Sequence, residues 1–179
     1  MAMQRKRIRL GSRDYIGLRW FFITICCSDH QPHFVSTSLC ENSIELLRRE
    51  GSTASFQVVA YCFMPDHLHL LLESTTPSCN LIRFIKLFKQ KSGFEFAQVT
   101  RRKLWQRHFY DHILRSQDAP ISVAYYIWLN PVRAGLCIAP QDYPYSGSFT
   151  MNWRSHLSQP ETWTPPWRLH VAESPKSFT

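Results

Sequence analysis

Two apolar runs separated by three turn-forming residues constrain this chain more than any other feature. Phe56 to Phe63 (FQVVAYCF) is aromatic and β-branched in character, Met64-Pro65-Asp66 reads as a turn, and His67 to Glu73 (HLHLLLE) follows as a second run. This is the pattern of a hairpin of two strands. Trp20 to Cys27 (WFFITICC) has the same character and is too short for a buried helix, so it is read as the first strand. Tyr110 to Arg115 (YDHILR) supplies a fourth.

Helical segments fall between them. Ser38 and Glu41 stand three apart ahead of Ile44, Leu46 and Leu47, the spacing of a capping box, and Gly51 is expected to close that helix. Leu81, Ile82, Ile85 and Phe88 recur at helical spacing, with Arg83, Lys86, Lys89 and Lys91 elsewhere around the cylinder. Asp118 is placed to cap a third helix, with Pro120 in its first turn and Pro131 as its stop. The order strand, helix, strand, strand, helix, strand is the ferredoxin-like split βαβ plan, an α+β fold. An antiparallel sheet with helices on one face is expected, plus a C-terminal helix, with the other face open to a partner. Residues 1–149 form one domain on this reading. Residues 150–179, rich in Pro, Ser, Thr and Trp, form an irregular tail laid over the domain by Trp153, Trp163 and Trp167.

At 179 residues and 44% hydrophobic content the chain can bury a core, and its formal charge of +8 favours a polyanionic partner, nucleic acid first. Of the six cysteines, Cys26, Cys27 and Cys62 lie inside apolar runs, where a reduced thiol packs as a small hydrophobe. No run is long enough to span a bilayer. A reducing, cytoplasmic location without a membrane is therefore expected.

The chemistry centres on two imidazoles. Residues i and i+2 of a strand share a face, so His67 and His69 point together and are able to coordinate a divalent ion, while Leu68 faces the core. The alternative is a pair that merely hydrogen-bonds at a strand end. Tyr126 and Asn130, four apart on the third helix, can offer a phenol and an amide oxygen to the same place. A metal there would polarise a phosphate oxygen for attack by the tyrosine. An aromatic residue at helical spacing can equally be core. Tyr110 is a rival nucleophile, but Asp111 beside it would repel a phosphate and no amide follows at a helical interval.

His67-Leu68-His69 after Met-Pro-Asp, Trp105-Gln-Arg with Phe109, Tyr126-Ile-Trp-Leu-Asn-Pro131-Val-Arg-Ala-Gly135 and Tyr143-Pro-Tyr-Ser146 follow one another in the chain. In that order they resemble the signatures of the single-tyrosine HUH transposases, and within them the REP-associated tyrosine transposases, over residues 10–149. The resemblance implies a ferredoxin-like core, Mg²⁺ or Mn²⁺ held by His67 and His69, and Tyr126 as nucleophile. Asn130 stands where many relatives carry a glutamine that also binds the metal. It further implies cleavage and rejoining of single-stranded DNA at hairpin-forming repeats through a 5′-phosphotyrosine, by a monomer or a homodimer. Gly17-Leu18-Arg19-Trp20 departs from the glycine pair many members carry before the tryptophan, which puts the DNA target in doubt.

Single-stranded or hairpin DNA is thus the expected partner. Arg5, Lys6, Arg7, Arg9 and Arg19 precede or open the first strand, Arg83 and Lys86 lie on the second helix, and Arg101, Arg102, Lys103 and Arg107 surround Trp105. These cations would neutralise phosphates, with Trp105 as a stacking surface if it is not core. The competing expectation is a catalytically silent or domesticated DNA-binding regulator of the same fold.

Overall fold

The computed structural model describes residues 11–157 and 163–165. Arg5, Lys6, Arg7, Arg9 and Trp167 lie outside the described residues. The elements run β1 (Trp20–Cys26), α1 (Thr37–Thr53), β2 (Phe56–Met64), β3 (His67–Ser74), α2 (Leu81–Thr100), β4 (Tyr110–Ile113), α3 (Pro120–Trp128), α4 (Asn130–Arg133) and β5 (Ser146–Gly147). The strands form one antiparallel sheet in the order β4-β1-β3-β2-β5. Its first four strands and first two helices have the split βαβ arrangement.

Alternation along β3 divides the core in two. Leu68, Leu70 and Leu72 are fully buried with Phe21, Ile23 and Ile25 of β1 against α1 and α2. Leu71 points the other way, into a second cluster with Phe22, Cys62 and α3. A bulge between Val58 and Ala60 shifts the alternation of β2, so that Val58 and Tyr61 join the first cluster while Val59 and Ala60 join the second.

The face expected to be open is therefore covered. Residues 120–128 (PISVAYYIW) are apolar around most of the helix and have to be buried on more than one side. Val123, Ala124, Ile127 and Trp128 pack on the sheet, and Trp153 and Trp163 close over them, with Trp153 lying 5.3 Å from Trp128 between ring centroids.

Four local expectations are corrected. The α1 helix starts at Thr37 after Ser36, so Ser38 and Glu41 lie inside its first turns and form no capping box. It also continues through Gly51, where a Cβ would stand 3.2 Å from Val58 and 3.3 Å from the Phe56 carbonyl; glycine there permits close packing on β2. Asp118 does not cap α3, whose N-cap is Ala119; its carboxylate is taken by the Arg115 N–H, His112 and Trp163. Pro131 sits in the opening turn of α4, where a missing N–H is tolerated, rather than ending α3. The two-residue β5 was not foreseen, since so short a strand has no periodicity.

Gly147 of β5 is the tightest point of this edge. Its carbonyl accepts the Trp128 indole N–H at 3.0 Å, and a Cβ would stand 2.6 Å from Cζ of the buried Tyr61 ring. Gly147→Ala is expected to cost about 1–3 kcal/mol by overpacking, read from urea unfolding. An unchanged midpoint would contradict the tight contact.

Candidate active site

The turn before β3 is pinned at both ends: the Cys27 N–H donates to the Asp66 carbonyl at 2.8 Å and the Phe34 N–H to the Pro65 carbonyl at 2.9 Å. β3 lies between β1 and β2, so the backbone of His67 and His69 is held on both sides. The two imidazoles do converge, with Nε2 of His67 3.0 Å from Nε2 of His69.

Their remaining nitrogens are each engaged. Asp66 Oδ1 lies 2.6 Å from His67 Nδ1, and Thr24 Oγ1 lies 2.9 Å from His69 Nδ1. The carboxylate accepts the Nδ1 proton of His67 and leaves its Nε2 with a lone pair. The Thr24 hydroxyl serves either tautomer of His69. Donating to Nδ1, it leaves a proton on Nε2 for a hydrogen bond to His67; accepting from Nδ1, it turns both Nε2 lone pairs toward one point.

The 3.0 Å separation is that of a hydrogen bond between the two rings. It is also compatible with a divalent cation, since two ligands at right angles around an ion at roughly 2.1 Å stand about 3.0 Å apart. Among the described residues no group of three or more His, Cys, Asp or Glu side chains is disposed to hold a metal. Completion of a shell here would fall to oxygen donors, which suits an ion that keeps water or takes phosphate oxygens.

Tyr126 is brought to the same face by α3. Its ring centroid is 6.5 Å from that of His69, 6.1 Å from Phe22 and 5.0 Å from Trp163. The residue is only 3% exposed. Asn130 lies on the same helical side, and its Nδ2 donates to the Tyr126 and Ile127 carbonyls at 3.0 and 3.2 Å. The missing N–H of Pro131 leaves the Ile127 carbonyl without its usual helical donor, and the Asn130 amide replaces it. Asn130 therefore has a structural task whether or not its oxygen meets a metal.

Two residues at the site escaped sequence reasoning. Arg133 holds its guanidinium 4.2 Å from the Tyr126 ring centroid and donates through Nη2 to the Tyr126 carbonyl at 2.5 Å. Its spacing of seven from Tyr126, two helical turns, was the available signal. Thr24 is a neighbour of His69 only through the pairing of β1 with β3, which no local pattern reveals.

The cations separate into groups. Arg19 is exposed at the start of β1, and Arg83 and Arg101 are exposed on α2 and at its end. Lys86, Arg102, Lys103 and Arg107 line one groove beside α2. Trp105 is corrected as a stacking surface: it is 4% exposed, donates its indole N–H to Ser92 at 2.8 Å and packs on Phe34 and Phe88. Among the described residues no helix is long and apolar enough to cross a membrane.

The antiparallel ferredoxin-like sheet thus presents two convergent histidines to a tyrosine-bearing helix. The family profile described as "Transposase IS200 like" matches residues 21–127, and the chain belongs to that family of transposases. A Haemophilus influenzae protein provisionally named REP-associated tyrosine transposase is 27% identical over 162 residues, spanning 84% of this chain and 90% of its own. A REP-associated tyrosine transposase of Escherichia coli K12 is 24% identical, spanning 82% and 91%. A solved structure of a REP-associated tyrosine transposase bound to a REP hairpin has the same fold, with a TM-score of 0.68, 19% identity and 92% of each chain covered.

Asp66→Ala is expected to weaken Mn²⁺ binding about 10–100-fold, because it removes the group that orients His67. Isothermal titration calorimetry measures this, and an unchanged affinity would show that the carboxylate serves only the turn.

Proposed function

We propose that this protein is a metal-dependent endonuclease and strand transferase of single-stranded DNA at hairpin-forming repeats, with Tyr126 as nucleophile and His67 and His69 as ligands of Mg²⁺ or Mn²⁺. The observation that carries the reading is the 3.0 Å approach of the two Nε2 atoms on the face where Tyr126 lies. The hairpin complex of the structurally similar transposase supports the choice of substrate.

A bound ion supplies Lewis-acid polarisation of a phosphate oxygen and screens the charge that repels attack. The chain supplies position. The phenol oxygen attacks phosphorus, the bond from phosphorus to the 3′-oxygen breaks, the phenol proton passes to solvent and the 3′-oxygen gains one. The products are a 5′-phosphotyrosine and a free 3′-hydroxyl. Attack by a 3′-hydroxyl on that ester reverses the exchange and releases the tyrosine, so no nucleotide cofactor is consumed. Arg133, stacked on the ring and bonded to its carbonyl, limits how far the phenol can turn. Asn130 is proposed as an oxygen ligand, and Arg19, Arg83, Lys86, Arg101, Arg102, Lys103 and Arg107 as phosphate contacts.

The second reading, a silent DNA-binding regulator, is favoured by the burial of Tyr126 against Phe22 and Trp163. A denaturing gel separates the two. Labelled hairpin DNA incubated with protein and Mn²⁺ should give a covalent band that Tyr126→Phe abolishes, while His67→Ala and His69→Ala each reduce it at least about 100-fold, the order of a lost catalytic interaction. An adduct formed by the Phe variant would refute the nucleophile, and none from the wild type would leave the regulator.

A further inference from the structure

The groove beside α2 lies on the sheet face opposite the histidine pair. It is open, with a volume of about 1120 Å³, beyond the roughly 300–1,000 Å³ usual for pockets that enclose a small ligand. Lys86, Arg102, Lys103 and Arg107 stand along it, and Ile82 and Phe109 give it an apolar lining. Ile82 is 40% exposed although apolar. Asp111 is the acid among the lining residues, and its carboxylate accepts the Tyr15 hydroxyl at 3.0 Å.

The groove is preset. Lys89 Nζ donates to the carbonyls of Gln106 at 2.7 Å and Arg107 at 3.1 Å, fastening the far wall to α2. Burial, with the charge of Lys103 adding to it, lowers the Lys89 ammonium to about 8.

It also leads toward the active site. The Gln106 N–H donates to the Cys26 carbonyl at 3.0 Å, and Cys26 is paired with His67 across β1 and β3. Around the edge of the sheet, Tyr110 is 48% exposed and pairs with Thr24, the neighbour of His69.

We propose that this groove holds the single-stranded DNA adjoining the cleavage point. A base rests against Ile82 and Phe109, phosphates meet Lys86, Lys103 and Arg107, and the strand rounds the β4 edge past Tyr110 to the histidines. The proposal rests on the strand-transferase reading and names where its substrate's unpaired flank binds. Positive charge alone would suit duplex and single strand alike, but an exposed apolar lining rewards only a strand whose base faces are uncovered.

The test uses fluorescence anisotropy with the full chain carrying Tyr126→Phe, in EDTA, so that no cleavage intervenes. Three probes are compared: a blunt hairpin, the same hairpin with a single-stranded tail of about twelve thymidines on either end, and one lengthened by an equal duplex. The tail is expected to tighten binding roughly tenfold, within the range of one or two stacked bases. Combined Lys86→Gln, Lys103→Gln and Arg107→Gln should cut this gain to within about twofold and lower the salt slope by about 2. Ile82→Gln, at an exposed position, should also abolish the gain without changing the charge of the groove. An equal gain from the duplex extension, no gain in the parent protein, or a gain that survives either variant would overturn the proposal. The ratio is independent of the covalent band, so enzyme reading and groove can fail separately.

Discussion

The alternation of β3 is the constraint on which the rest of this structure depends. Because the strand lies between β1 and β2, its side chains have two buried destinations and no third. Leu68, Leu70 and Leu72 fill the core beneath α1 and α2, and that commitment sends His67, His69 and Leu71 to the face beneath α3. A slip of one residue would exchange the two sets, burying imidazoles among leucines. The packing energy of the hydrophobic core thus also fixes the direction of the histidines.

The helical side of the site is built with a different economy. Pro131 removes a helical hydrogen bond directly after the turn that carries Tyr126; Asn130 supplies a replacement donor to the Ile127 carbonyl left behind, and Asn130 and Arg133 both donate to the Tyr126 carbonyl. The tyrosine is thereby locked from its backbone, from its ring face by Arg133, and from its edge by Trp163. Trp163 is itself tied to Asp118 at 3.0 Å, and Asp118 to His112. Desolvation would raise the Asp118 carboxyl, but the Arg115 N–H, His112 and Trp163 outweigh it and hold the group below its ordinary value. Its contribution to stability is present above the ordinary carboxylate range and fades as the pH falls through the lowered value.

Much of the fold was legible because its elements carry strong periodic patterns. The hairpin of β2 and β3 could be read from two apolar runs and a proline turn, and the convergence of His67 with His69 from the two-residue repeat alone. What escaped depends on contacts distant in sequence. Gly51 resembles a helix stop until β2 is seen pressing against it. Trp105 among four cations resembles a stacking platform until its indole is found bonded to Ser92 inside the core. Trp153 and Trp163 do lie over the domain, as the tryptophan-rich tail led us to expect, but that they close over α3 on the second face is visible only in the tertiary structure.

The central claim is that the two Nε2 atoms are two of the ligands of a cation site facing Tyr126. A crystal soaked in Mn²⁺ and measured at the manganese absorption edge tests it directly. One anomalous peak within bonding distance of both His67 Nε2 and His69 Nε2, on the side of the Tyr126 ring, is the predicted result. Imidazoles still bonded to each other, with the manganese elsewhere or absent, would contradict it.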